Sequence, residues 1–123
     1  NLYQYQDGSA VEINQSASAL VNNPKYLSEH IVSIRDTLAP PLAELIVEGI
    51  ADGSIRPQDP QCLAEVFLIL ANVWLVEPLF PFAGGGPEKL RYIRLIFDQM
   101  GFPVLTDEAI QTLTKGLQRE ERA

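Results

Sequence analysis

Cysteine and histidine are nearly absent from this sequence, which has one of each among its 123 residues. A lone Cys62 cannot build a disulfide framework or a thiolate metal cluster within one chain. His30 has no second imidazole with which to hold a metal ion, so a partly buried polar residue on a helix flank is the preferred interpretation. We therefore expect no metal and no cofactor, and a cytoplasmic location.

Positive charge is also scarce, because nine Lys and Arg residues stand against sixteen Asp and Glu, and the formal net charge is −7. Proteins that hold nucleic acid cluster Lys and Arg against the phosphates, so this chain is not expected to bind DNA by itself. The longest apolar run, residues 63–76, is shorter than the roughly 20 residues that cross a bilayer, and it contains Glu65 and Asn72. It predicts a buried helix, and no membrane partner is expected.

The alternation of polar and apolar residues that marks β-strands is missing as well, and there is no internal repeat. The length fits one domain with a single core. Residues 1–22 have no clear period and are predicted to form a poorly defined segment with a short helix from about Val11 to Val21. Residues 23–123 are predicted to form an all-α domain, a bundle of four to five helices.

The first strong helix signal begins at Asn23, which can act as an N-cap, and Pro24, which suits the first helical position. Pro40 and Pro41 remove backbone donors, so the helix must kink or restart near Ala39. Apolar residues at steps of three or four predict one buried stripe along it. They are Leu27, Ile31, Ile34, Leu38, Leu42, Leu45 and Gly49.

The stretch VEGIADGSIRPQDP, residues 47–60, concentrates signals that end one helix and begin another. Gly53 suits the left-handed residue that closes a helix, and Ile55 can fold back as the apolar contact after such an end. Asp59 and Pro60 are a favourable pair for an N-cap and a first turn. The pattern predicts a tight corner that makes the two helices neighbours.

The helix predicted from Pro60 to Leu79 is apolar on nearly every face. Such a helix must be covered on all sides, and one small core covers only one of them. A second copy of the chain or a ligand is therefore expected on the other side. We predict a homodimer built from this helix and the helix from Pro87 to Met100. Its predicted interface residues are Leu68, Leu75, Ile93 and Phe97.

Glycines 84–86 predict a loop between these two helices, because three glycines cannot hold a helix together. A phosphate loop is not expected, since no strand precedes the glycines and no GK[ST] follows them. Gly101 is predicted to end the next helix, and Thr106 to cap the last one. The apolar stripe of that last helix is predicted to be Ile110, Leu113 and Leu117.

No constellation of residues indicates catalysis, and an enzyme is not expected. Asp107 and Glu108 point apart on a helix, which is not the geometry of an acid–base couple. Cys62 lies in the first turn of a capped helix, where the dipole can activate a thiol, but a small apolar filler is the preferred interpretation. The basic cluster is predicted to be a solvated face and consists of Lys89, Arg91 and Arg94.

Two stripes on the neighbouring helices could form an apolar cleft with a few polar tips. Small-molecule pockets have this composition, and so does an ordinary core. On the residues alone the core is the preferred interpretation, and the cleft stays open as the alternative. The candidate ligand-binding residues are Tyr26, His30, Ile34, Phe67, Leu70, Asn72 and Trp74.

The run PPLAELIVEGIADGSIRPQDPQCLAEVFLILANVWL, residues 40–75, resembles the C-terminal regulatory domain of TetR-family transcriptional repressors. In that family a helix ending in LIxEGIxxGxI turns through a proline-bearing corner into an apolar helix. RYIRLIFDQMG, residues 91–101, is similar to the family's closing elements. The resemblance covers about Asn23 to Leu117.

The family implies a homodimer in which an N-terminal helix-turn-helix binds operator DNA and the C-terminal domain holds a small-molecule inducer. LYQY at residues 2–5 is similar to the LYxYF near the family's recognition helix, but the Phe and the following SKxxL are absent. We therefore expect the DNA-binding domain to be missing from this chain, so that operator DNA is a partner only through that domain. The implied ligand is an apolar small-molecule effector.

Two functions from different classes follow. The first is an effector-sensing and dimerisation domain of a transcriptional regulator, coupled to an upstream helix-turn-helix. The second is a freestanding helical module that docks a protein partner and has no small-molecule ligand. A basic helical segment upstream of this chain would distinguish the first from the second.

Overall fold

The structure is a computed structural model that describes residues 18–82 and 86–112. Every regular element in these ranges is helical, which confirms the predicted all-α class for them. The helix predicted from Val11 to Val21 falls mostly outside the described residues, although residues 18–22 are helical. Also outside the described residues are glycines 84 and 85, Leu113 and Leu117.

Two helical stretches, each containing a π-helical turn, are joined by the corner and followed by a further helix. In chain order the elements are α1 (Pro24–Ser33), π1 (Ile34–Leu38), α2 (Ala39–Asp52), α3 (Pro60–Ile69), π2 (Leu70–Trp74) and α4 (Gly86–Gln99). Helix α2 packs along α3, and π1 also contacts α3. Residues 107–112 begin another helix, whose predicted cap is confirmed because the Thr106 hydroxyl accepts from the Ala109 N–H at 3.1 Å.

The start of α1 is held as the sequence predicts. The Asn23 side-chain oxygen accepts hydrogen bonds from the N–H groups of Lys25 and Tyr26 at 3.1 and 3.2 Å. These bonds satisfy two of the backbone donors that a helix leaves free at its first turn.

The predicted disturbance before the two prolines takes the form of the wide turn π1. There the N–H of Ala39 bonds back to the carbonyl of Ile34, and Pro40 and Pro41 fall in the first turn of α2. Proline rings crowd the carbonyl four residues back, and a wider turn relieves that contact. A disturbance near Ala39 is therefore present, with both prolines in the first turn of α2, but no break occurs because the chain continues through π1 in helical geometry.

The corner between α2 and α3 also follows its sequence signals. Gly53 has a φ of 87°, and the N–H of Ile55 reaches back to the carbonyl of Gly49 at 3.0 Å. The Ile55 side chain folds onto the bare Cα of Gly49 and packs against the core. Asp59 caps α3 by accepting from the Cys62 N–H at 2.9 Å. The left-handed end, the folded-back isoleucine and the N-cap are all confirmed.

The corner also closes the end of α4, a contact that the sequence does not predict. The Arg56 N–H donates to the carbonyl of Gly101 and its guanidinium to the carbonyl of Gln99, both at 2.9 Å. The Gln58 amide donates to the carbonyl of Met100 at 2.7 Å. Carbonyls at a helix end have no partners within the helix, and a guanidinium there also complements the helix dipole.

The centre of the core is a cluster of three phenylalanine rings. Phe67 of α3, Phe97 of α4 and Phe102 after α4 meet edge to face, with ring centroids 5.1 to 5.9 Å apart. This arrangement is the favourable one for aromatic side chains. The neighbouring buried residues include Ala39, Ile46, Leu63, Ala64, Ile93 and Leu105.

The second helical stretch ends at Trp74, and the prediction that it reaches Leu79 is wrong. Pro78 has no N–H to donate to the carbonyl four residues back, so the α-helical ladder cannot continue through it. Residues 75–80 instead form turns, in which the N–H groups of Leu79 and Phe80 share the carbonyl of Val76.

Two glycine substitutions measure how tightly the corner is seated on α4. Gly53→Ala strains a left-handed residue with open space around it and should lower the free energy of unfolding by about 1–2 kcal/mol. Gly101→Ala carries the same strain and also places a methyl group 2.4 Å from the Arg56 Cβ. We expect a further loss of about 1–3 kcal/mol from this overpacking. Urea unfolding of both variants checks the difference, and equal losses would show that Arg56 is not firmly seated.

Candidate functional site

A polar contact joins α1 to π2 at the place where the cleft was predicted. The ring nitrogen Nε2 of His30 lies 2.8 Å from the backbone carbonyl of Asn72. Because a carbonyl only accepts hydrogen bonds, Nε2 carries the proton in this contact. The side-chain amide of Asn72 donates to the carbonyl of Leu68 at 3.0 Å, and its side-chain oxygen takes no part in that bond.

The other candidate cleft residues divide into two groups. Tyr26 lies one turn before His30 on α1 and is exposed, and Leu70 and Trp74 are half-buried on π2. Ile34 is buried, and Phe67 belongs to the phenylalanine cluster of the core. The structure thus brings His30 and Asn72 together and places Ile34 and Phe67 within the chain's own packing.

The expected dimer residues require a correction at two positions. Ile93 and Phe97 are 1% and 0% exposed, because they point into the core formed by this single chain. They therefore offer no surface to a second copy. Leu68 and Leu75 are half-buried and pack against the same core.

Helix α4 has an apolar flank beside its core face. Tyr92, Leu95 and Ile96 follow one another at helical spacing, and the first two are 53% and 56% exposed. Leucine and tyrosine side chains with more than half of their surface exposed to solvent form an apolar surface on this flank, within the described part of the chain.

The adjacent flank of α4 is charged and internally paired. Arg91 pairs with Glu88, and Arg94 pairs with Asp107 and lies 3.6 Å from Asp98. The hydrogen bond that Arg94 donates to the Asp107 carboxylate raises the pKa of Arg94. For these two arginines, the solvated and paired face predicted from sequence matches the structure.

Lys89 departs from that prediction, because its ammonium does not point freely into solvent. It donates to the carbonyls of Trp74 and Phe80 at 2.7 and 2.6 Å. It also lies 4.9, 5.7 and 4.5 Å from the ring centroids of Trp74, Phe80 and Phe82. We call these three rings and two carbonyls the Lys89 cage. Burial lowers the pKa of Lys89, and the nearby Glu77 opposes that change.

The sequence indicates the surroundings of Lys89 only in part. It shows aromatic residues at 74, 80 and 82, but they are separated by turns, and no sequence periodicity predicts the geometry of those turns. The lysine itself looks like an ordinary surface residue of an amphipathic helix.

A concavity of about 370 Å³ lies near the end of α4. Its lining includes Ser54, Arg94, Asp98, Leu105 and Thr106. The charge of Arg94 is already balanced by its carboxylate partners, so this groove presents no free cation to an anionic ligand.

Cys62 and possible metal ligands are the remaining candidates for chemistry among the described residues. Cys62 is exposed, and the charge of Asp59 raises the pKa of its thiol, so the nucleophilic thiolate is disfavoured. No group of three potential metal ligands occurs in the described ranges. In the same ranges no helix has both the length and the apolarity to cross a bilayer.

Replacing His30 tests the junction between α1 and π2. His30→Ala leaves the half-buried carbonyl of Asn72 without its donor and should cost about 1–2 kcal/mol of unfolding free energy. His30→Gln places an amide N–H at a similar distance along the side chain and should recover most of the loss. Chemical denaturation of the three proteins gives the comparison, and an equal loss in both variants would show that the hydrogen bond is not the stabilising contact.

The relationship of this chain to other proteins does not decide its function. No protein-family model matches it. Comparisons with curated proteins and with solved structures likewise find no significant match.

Proposed function

We propose that this chain is the effector-sensing and dimerisation domain of a TetR-family transcriptional regulator, in which small-molecule binding is coupled to an upstream helix-turn-helix. The supporting sequence features are the LIxEGIxxGxI helix end and the proline-bearing corner, both of which adopt the expected backbone. The net charge of −7 is consistent with a regulatory domain that does not itself contact DNA.

The observation that carries the proposal is the junction of α1 with π2. His30 meets the Asn72 carbonyl there, and the half-buried Leu70 and Trp74 and the exposed Tyr26 lie on the same two elements. A few polar atoms among apolar side chains are the usual composition of a small-molecule site. The proposed effector is largely apolar, with one polar group that contacts His30 or Asn72.

The wide turn π1 gives α1 a means to respond to such a ligand. π-Turns are frequent at functional sites, because their ladder is less regular than that of an α-helix. A ligand that binds better to one tilt of α1 would shift the population toward it. The start of α1 at Asn23 would transmit that tilt to any domain attached upstream.

The proposed dimer uses the apolar flank of α4, Tyr92, Leu95 and Ile96, in place of the buried pair Ile93 and Phe97. Two such flanks meeting around a twofold axis would remove from water the side chains that one chain leaves exposed. The adjacent charged flank, already paired, would lie at the rim.

Substitution on the two flanks of α4 tests the dimer. Wild-type protein should sediment as a dimer at micromolar concentration, and Leu95→Glu should weaken association by about a hundredfold or more, because a buried unpaired carboxylate is costly. Arg94→Ala, on the charged flank where the side chain pairs with Asp107, should leave the dimer intact. A wild-type protein that sediments as a monomer would contradict the proposal, and circular dichroism confirms that Leu95→Glu stays folded.

Ligand binding is tested through Trp74, which is the sole tryptophan of the sequence. A panel of apolar compounds with one polar group should include some that quench or blue-shift its fluorescence. Trp74→Phe should abolish the signal, and His30→Ala should weaken binding about five- to tenfold through the lost hydrogen-bond partner. A ligand whose affinity is unchanged in both His30→Ala and Tyr26→Ala would place the site elsewhere.

A protein-interaction module is the second candidate, and exposed apolar side chains on α2 favour it. Pro41 and Leu45 lie one turn apart on that helix, and both are exposed. If a protein partner covers them, Leu45→Glu will abolish its binding while leaving the fluorescence response to small molecules unchanged. The two functions are therefore separable by one substitution.

A further inference from the structure

The Lys89 cage places aromatic rings and carbonyl oxygens around a positive charge, and both kinds of group recognise ammonium ions. The Nζ atom of Lys89 lies 4.5 to 5.7 Å from the centroids of three aromatic rings. The negative faces of such rings attract cations at this range. Two of the three ammonium protons are directed at backbone carbonyls, those of Trp74 and Phe80.

The Trp74 carbonyl is available because of Pro78. In a continued α-helix it would accept from the N–H of residue 78, which proline does not have. The carbonyl therefore stands at the negative end of the helical stretch without a partner in its own segment, and Lys89 of α4 supplies the donor. The acceptor belongs to the α3–π2 stretch, and the cation that satisfies it comes from elsewhere in the chain.

We propose that this cage is a binding site for a primary alkylammonium group, and that the Lys89 ammonium is its resident internal occupant. The ring faces attract the cation, the carbonyls accept its N–H groups, and the nearby Glu77 adds negative charge. A small primary alkylamine carries this group in its protonated form.

Exchange of occupants would loosen the segment that carries the cage. Lys89 is a polar contact that ties residues 74, 80 and 82 to α4. When an external ammonium takes its place, the rings and carbonyls stay satisfied while this contact with α4 is lost. The cage shares Trp74 with the proposed effector site but does not depend on a regulatory role for the domain.

An external amine must compete with the Lys89 ammonium, which is covalently tethered to the chain. A group held on a short tether competes at an effective concentration in the roughly millimolar range. Wild-type protein should therefore bind n-butylammonium weakly. Lys89→Met removes the competing charge, keeps an unbranched side chain, and should bind n-butylammonium about tenfold or more tightly than wild type does.

The indole ¹H–¹⁵N resonance of Trp74 reports binding, because the sequence has one tryptophan. Titration with n-butylammonium should give a saturable shift in both proteins. The neutral n-butanol should give none. Tetramethylammonium, which has no N–H to donate to the two carbonyls, should bind at least about fivefold more weakly than n-butylammonium.

Phe82→Leu is the matched control, since it keeps an apolar side chain but removes the ring nearest to the cation. It should weaken n-butylammonium binding about two- to fivefold in the Lys89→Met background. If Lys89→Met does not fold, Phe82→Leu in the otherwise wild-type chain is compared directly with wild type and should show the same weakening.

Two outcomes would overturn the proposal. One is the absence of a saturable shift in wild type up to about 100 mM amine, well above the effective concentration of the tether, which would make the cage an internal clamp. The other is equal binding of n-butylammonium and n-butanol, which would show that the cage does not select a cation. Neither outcome would affect the dimer or the binding of an apolar effector.

Discussion

The packing of this domain depends on carbonyl groups that the helices cannot satisfy by themselves. A helix leaves its last carbonyls without intrahelical donors, and leaving them buried and unpaired is costly. At the end of α4 the donors come from the corner, through Arg56 and Gln58. At the end of π2 they come from α1 and α4, through His30 and Lys89. These bonds fix how the elements are placed relative to one another.

The aromatic core and the helix-end contacts support each other. Phe102 joins the phenylalanine cluster because the chain turns back after Gly101, whose carbonyl is held by Arg56. The same turn places the Phe102 N–H on the carbonyl of Phe97 at 2.8 Å. Apolar burial supplies most of the stabilisation, while the directional bonds select one arrangement among many that would bury similar area.

The end of π2 is also where the proposed functions meet. His30 holds the Asn72 carbonyl from one side, and Lys89 holds the Trp74 carbonyl from the other. A ligand that displaces either donor changes the attachment of α1 or of α4 to the same helical end. The proposed dimer flank lies on α4, so the state of this end and the association of two chains would be linked.

The sequence by itself determined the local structure. Caps at Asn23, Asp59 and Thr106, the left-handed glycines and the disturbed turn before the proline pair are all short-range effects of side-chain oxygens, missing Cβ atoms and missing N–H groups. These are visible within a few residues. The all-α class follows from the same helical spacing. The contact between His30 and Asn72 could also be anticipated from the sequence, since both were candidate residues on helices predicted to be neighbours.

Tertiary structure decided which apolar residues are core and which polar residues have partners. An amphipathic period does not state how wide the buried face of a helix is, so Ile93 and Phe97 could not be told from the exposed Tyr92 and Leu95 in advance. Lys89 donates to the backbone carbonyl of Trp74, 15 residues away in the sequence, and Arg56 donates to that of Gln99, 43 residues away. Every residue possesses such a carbonyl. Because a carbonyl has no sequence signature, its partner is fixed only when the packed helices bring the two together.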